Sequence, residues 1–268
     1  MLELFFFIAI CGFGIASYLD LRYTEFPDML PYGLITISIS IRILMSIILG
    51  DFSIITDSVL YGVIFLGIGL GLFYTKQWGD GDAWLLGVLG FVIPNKESMV
   101  FVSGYSSILP FQISLIFNFF IVSLLYIIIY SFFVGVKNRK KLKIKFNRKE
   151  TYVFLGIVVL ATFAGTVGIG SSMLPMFYGI MLLLTGFYFF FQYVKSIDNF
   201  IFKSRISTKK LREGDVIFEG KWKGLTKKDI SKLKRSKKYV YIKEGVRFAP
   251  VFLITILLTA LFGGLIFI

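Results

Sequence analysis

Two short acidic clusters interrupt a chain that is otherwise dominated by apolar residues. The first reads Asp20-Leu-Arg22-Tyr-Thr-Glu25-Phe-Pro27-Asp28, and the second reads Gly79-Asp80-Gly81-Asp82. Two carboxylates that share a site cannot both ionise easily. One keeps its proton, and the pair can then activate a water on a peptide carbonyl while protonating the departing group. That chemistry needs neither histidine, cysteine nor metal. The chain has no histidine, which excludes Ser–His and Cys–His pairs and histidine-based metal sites. Its single cysteine, Cys11, lies in the first apolar run and cannot form an intrachain disulfide or a Cys-rich zinc site. Cys11 reads as a small hydrophobe facing lipid or another helix. No metal and no cofactor are expected.

Each of these residues also has a plainer reading. Asp20 alone fits a polar group at a helix end. Asp82 alone fits the N-cap of the following helix, and Asp80 fits a turn. Gly79 and Gly81 are expected to allow close backbone approach and positive φ, so that an extended substrate strand lies against the turn. Pro27 is expected to end any helix continued from the first apolar run and to fix how the next segment enters.

The elements that must carry these groups are apolar. Of 268 residues, 56% are hydrophobic. Mean hydropathy is +0.80, and soluble domains sit near about 45–50% apolar. About eight runs approach the roughly 20 residues that a helix needs to cross a bilayer. They are Leu2–Tyr18, Leu30–Leu49, Ser58–Thr75, Ala83–Ile93, Leu109–Val136, Tyr152–Ile169, Leu174–Tyr193 and Phe248–Ile268. The fourth is short, because Gly90 and Pro94 end it early. Asn95–Ser107 reads as a re-entrant or surface loop, which leaves seven spans as an alternative. The fold class is therefore an all-α polytopic membrane protein with about eight (six to eight) transmembrane helices and a small cytoplasmic αβ segment. Three regions are expected: residues 1–194, a transmembrane catalytic region that includes a basic cytoplasmic loop at 137–150; residues 195–247, the αβ segment; and residues 248–268, a C-terminal transmembrane helix.

The formal net charge is +13, concentrated in two blocks. Residues 137–150 hold eight Lys and Arg, and 195–247 hold seventeen more, which together make 25 of the 29. Such blocks read as membrane topology rather than as a nucleic-acid surface, and positive-inside logic places both in the cytoplasm. The two acidic clusters then fall on the same cytoplasmic side, separated by two spans, and both termini lie outside. Arg42 is the exception, a cation within the second span. It either faces a partner or water, or snorkels from a span that ends early near Ile41.

Within 195–247, Val216–Glu219 and Tyr239–Ile242 read as short strands. Thr226–Lys234 reads as a helix with Thr226 as N-cap and Asp229 in its first turn. Gly214, Gly220, Gly224 and Gly245 punctuate the turns. The charge of this segment suits a solvated face attracted to anionic headgroups, or a substrate-docking lid.

The layout resembles the archaeal prepilin and preflagellin peptidases, relatives of the bacterial type IV prepilin peptidases. These are aspartic proteases of the membrane interface with a G-x-G-D motif. Gly79-Asp80-Gly81-Asp82 matches that motif, so the resemblance assigns the catalytic role to Asp82 and not to Asp80. Asp20, followed by Arg22 and then Phe26-Pro27, resembles the family's first aspartate. Leu211-Arg-Glu-Gly214 through Gly224-Leu-Thr226 resembles the extra segment of longer archaeal members. Two departures stand out. The family often has a lysine two residues after the second aspartate, where this chain has Trp84. Bacterial members carry a cysteine-rich cytoplasmic domain and often N-methylate the product, which one cysteine cannot support.

The resemblance implies a plasma-membrane endopeptidase with catalytic Asp20 and Asp82 at the cytoplasmic face. Gly79, Gly81, Asp80, Arg22 and Pro27 would position substrate or motif. The partners implied are the lipid bilayer and prepilin-like or archaellin precursors, in which a short basic leader precedes a hydrophobic helix. Glu25, Asp28 and Asp80 would attract the leader or else remain solvated loop acids. Presenilin and signal peptide peptidase also use G-x-G-D. They place Tyr before the first aspartate and Pro-Ala-Leu near the C-terminus, whereas this chain has Leu19 and no Pro-Ala-Leu. An ion-coupled transporter is the non-enzymatic alternative.

Overall fold

The computed structural model describes residues 2–75, 77–102, 107–143, 147–168, 173–211, 216–218, 225–243 and 245–265. The described chain is largely helical: α1 (Leu4–Tyr23), α2 (Met29–Leu49), α3 (Ser53–Tyr74), α4 (Asp80–Val92), α5 (Phe111–Lys137), α6 (Arg148–Gly168), α7 (Leu174–Phe200), α8 (Lys227–Ser236) and α9 (Pro250–Phe262), with strands β1 (Lys203–Ser207), β2 (Val216–Ile217) and β3 (Tyr239–Lys243). Six of the helices, α1, α2, α3, α5, α6 and α7, are long and apolar enough to cross a membrane. Their outward faces carry large apolar side chains such as Ile48, Leu160 and Leu182, which suit a lipid-facing surface. Lipid solvates apolar groups that water would drive inward. The fourth and last expected spans are shorter. α4 and α9 have 13 residues each, or about 20 Å at 1.5 Å per residue, against a hydrocarbon core of about 30 Å. The end of the last expected span, at 266–268, lies outside the described residues.

The chain forms two compact units, Met1–Ile128 with Gly245–Ile268, and Ile129–Glu244. In the first, α1 buries one stripe made of Phe5, Ala9, Gly12, Phe13, Ala16, Ser17 and Asp20. That three-and-four spacing lines one helix face, and the stripe packs on α9, with the Phe13 and Phe252 rings stacked 5.6 Å apart. α3 and α4 approach closely through glycines. A Cβ at Gly69 would lie 2.6 Å from the Ala83 carbonyl oxygen, and one at Gly90 would lie 2.4 Å from that of Tyr61. Small residues at a membrane helix interface let backbones meet this way.

Two sequence expectations are corrected in this unit. The helix carrying Asp20 does not wait for Pro27 to end it. It stops at Tyr23, where Thr24 turns left-handed at φ 62 and its N–H donates to the Asp20 carbonyl. Arg42 does not snorkel either, because α2 runs on to Leu49 and Arg42 is fully buried. Its Nη2 donates to the Val92 carbonyl and to Ser98 Oγ, both at 2.9 Å, and its guanidinium lies 3.8 Å from the centre of the Phe5 ring. The expected loop after α4 is a short 3-10 turn at Lys96–Ser98, and 103–106 lie outside the described residues.

In the second unit α6 and α7 pair through the Phe154 and Tyr188 rings, stacked with centroids 4.0 Å apart. The strands form an antiparallel sheet in the order β1-β3-β2. β1 is a strand that the sequence reading missed, because its alternation is masked by Lys203 and Arg205. α8 covers the sheet with Ile230, which packs on Leu211, Leu225 and Val240. Its N-terminus is the expected one: Thr226 and Asp229 form a reciprocal capping box. Residues 212–215 and 219–224, including Gly214, Gly220 and Gly224, lie outside the described residues.

Candidate active site

Asp20 occupies the last turn but one of α1, on its buried stripe, and is only 6% exposed. A carboxylate there needs a partner, since an unpaired buried charge is costly. The partner comes from the far end of the chain: the Ala249 backbone N–H donates to Asp20 Oδ2 at 2.9 Å. Ala249 is the N-cap of α9, with Pro250 at the first helical position. The positive end of the α9 dipole is therefore directed at the carboxylate. Arg247, two residues earlier, adds its charge. The Arg247 carbonyl is itself held by the Tyr126 hydroxyl at 2.6 Å.

Asp82 stands in the first turn of α4, one position before the apolar run that begins at Ala83. Gly79, rather than either aspartate, is the N-cap. Asp82 is half-buried. Burial pushes its carboxyl up to about 7, the Asp20 charge pushes in the same direction, and the Gly79 backbone N–H opposes both. The Asp20 charge, carried on α1, therefore acts on Asp82 at the start of α4. A pair in which one charge raises the other's proton affinity is the arrangement that shared-proton hydrolysis needs.

The glycines serve a different purpose from the one expected. Neither Gly79 nor Gly81 has a positive φ. At Gly81 the need is space, since a Cβ there would lie 2.7 Å from the tip of the Phe26 ring. At Gly79 a Cβ would lie 3.3 Å from Asp82 Oδ2. Phe26, within the first acidic cluster, thus packs the loop after α1 against the start of α4.

The remaining expected residues do not converge on the pair. Arg22 is exposed; its guanidinium bonds the Tyr18 hydroxyl and lies 5.3 Å from the Tyr23 ring centre, on its own helix. Pro27 and Asp80 are exposed. Trp84, at the place where the resembled family often has lysine, packs edge-on to Tyr32 at 4.7 Å. Cys11 is exposed on α1. The residues that sequence reasoning missed are Trp78, Phe248 and Ala249. Trp78 immediately precedes the glycine-aspartate motif, and its ring lies 5.4 Å from that of Phe248, beside the Ala249 donor. A weak signal existed in Phe-Ala-Pro after a long basic segment, which marks a helix start but not its contact 229 residues away.

Residues 7–136 match the type IV leader peptidase family model. That stretch holds both aspartates, Gly79, Gly81 and Phe26, while α9 lies beyond it. No curated protein matches the chain. Residues 7–136, just under half of the chain, are thus similar to the type IV leader peptidases, and that similarity supports a prepilin peptidase-like protein on a frame of helices long and apolar enough to cross a membrane.

Proposed function

We propose that this protein is a plasma-membrane aspartic endopeptidase that removes the short basic leader from type IV prepilin-like or preflagellin precursors at the cytoplasmic face, with Asp20 and Asp82 as its catalytic pair. The observation that supports this reading is the influence of the Asp20 charge on Asp82, two carboxylates that both lie within the family-matched stretch. One carboxylate takes a proton from water as the water oxygen bonds the scissile carbonyl carbon. The other gives its proton to the carbonyl oxygen. The carbon–nitrogen bond then breaks as the first carboxyl returns the proton to the leaving amine, and the second recovers its own from the tetrahedral hydroxyl. The precursor's hydrophobic helix lies among the spans, and its leader stays in water.

The test is cleavage of a co-expressed prepilin. Asp20→Asn and Asp82→Asn should each abolish leader removal, whereas Asp80→Asn, at an exposed turn position, should retain most of it. Normal processing by the Asp82→Asn protein would overturn the assignment. A cut within the hydrophobic helix, rather than at the leader boundary, would instead favour a presenilin-like intramembrane protease.

A further inference from the structure

The carboxylate pair is not symmetrical. Asp20 accepts a backbone hydrogen bond from Ala249 at 2.9 Å, faces the N-terminus of a 13-residue helix and feels the Arg247 charge. A backbone N–H and a helix N-terminus are geometric partners for a carboxylate. Asp82 is under the influence of the Asp20 charge and sits in the first turn of a helix, with the Gly79 N–H as its backbone donor. The charge that acts on Asp20 is that of Arg247, ahead of α9, while the Asp20 charge in turn acts on Asp82 from α4. Arg22, on its own helix, is drawn off onto Tyr18 and Tyr23.

The donor is fixed in place. Ala249 is fully buried, Phe248 is 6% exposed, and the Phe248 ring packs among Trp78, Phe119 and Phe252. Trp78 joins that cluster from the residue before Gly79. The Trp78–Phe248 contact therefore ties the turn ahead of α4 to the helix start that holds Asp20.

We propose that the N-terminus of α9 is a third element of the catalytic site, in which the Ala249 N–H holds Asp20 as the water-activating carboxylate and leaves Asp82 as the proton carrier. The inference rests on the catalytic reading of the two aspartates given above. In these terms Asp20 receives the proton of the attacking water and later passes it to the leaving amine. Asp82 protonates the carbonyl oxygen and recovers that proton as the tetrahedral intermediate collapses. Ala249 touches no substrate and is a positioning residue, which acts by fixing the charge state and direction of Asp20.

The experiment uses the full chain in lipid nanodiscs and a prepilin peptide spanning the leader boundary. Kinetics are measured as a function of pH for Ala249→Pro, Ala249→Ser and Arg247→Gln. Ala249 has φ −52, which a proline ring can adopt, so Ala249→Pro deletes the donor and puts a ring carbon in the place of the N–H beside Asp20. Loss of a hydrogen bond to a charged group should lower kcat about tenfold or more, with KM within about twofold. It should also move the low-pH limb of the rate profile upward, because Asp20 then holds its proton more tightly. Ala249→Ser keeps the N–H and should lose less kcat than Ala249→Pro, with the low-pH limb unmoved. Arg247→Gln should move the low-pH limb the same way by a smaller amount, and it keeps the proposal testable should Ala249→Pro fail to fold. If Asp20→Asn is inactive while Ala249→Pro and Arg247→Gln both keep wild-type kcat and an unmoved low-pH limb, the α9 inference fails alone. If Asp20→Asn and Asp82→Asn are both active, the catalytic reading fails and this inference falls with it.

Discussion

Gly81 faces Phe26 so closely that a methyl group on its α-carbon would lie 2.7 Å from the end of the phenyl ring. One glycine of the G-x-G-D motif is thus matched to one aromatic side chain in the loop that follows the Asp20 helix. The motif spacing and the loop sequence belong to a single packing contact.

Gly81→Ala should therefore displace either the Phe26 ring or the first turn of α4, at a cost of about 1–3 kcal/mol typical of overpacking. Leader cleavage should fall more than stability, because Asp82 is the next residue. Adding Phe26→Leu should restore part of the activity by opening the space. Cleavage rates and thermal unfolding of the single and double variants check this. A Gly81→Ala enzyme with wild-type turnover would show that the contact does not position Asp82.

Asp82 also predicts how stability depends on pH. Its carboxyl titrates at about 7 in the folded protein against an ordinary value of 3.8. Between those values the folded state binds more protons than the unfolded state, so this residue makes stability fall as pH rises through that window. Asp82→Asn removes the effect. The variant should melt higher than the wild type at pH 8 and should show a smaller gain at pH 4, as measured by thermal unfolding in detergent or nanodiscs. An equal difference at both pH values would contradict the shift.

Arg42 is a buried cation whose partners are carbonyls and a hydroxyl rather than a carboxylate. Its Nη2 bonds terminate α4 at Val92 and hold the following turn through Ser98, while Ser38 and Ser58 both donate to the Phe91 carbonyl. Arg42→Ala should cost about 2–4 kcal/mol, because those carbonyls lose their donor inside the protein. Arg42→Lys should recover only part of the loss, since one ammonium cannot reproduce the planar fork. The melting temperatures of the two variants, ranked against the wild type, test this. Unchanged stability in Arg42→Ala would mean that other donors satisfy the end of α4.

Much of the chemistry was legible in the sequence. The absence of histidine excluded Ser–His and Cys–His pairs, and the two acidic clusters stood out against the apolar sequence. The helical spans were legible because lipid requires long uninterrupted apolar runs. Thr226 and Asp229 marked the start of α8 because capping depends on only a few adjacent residues. Helix ends were less legible. Pro27 suggested a stop that Thr24 had already made, and the last turns of α1 and α7 continue through polar residues that hydropathy assigns to loops.

By itself the sequence determined the membrane class of this protein and singled out its two acidic clusters, because these follow from composition and from short-range spacing. The tertiary structure alone decided which acid receives a donor from α9, why Gly81 must lack a side chain, and that Arg42 is buried rather than snorkelling. The physical reason is that each of these depends on a contact between residues far apart in the chain, as with Asp20 and Ala249. Such a partner leaves no periodicity or local motif, and only packing in three dimensions brings the two together.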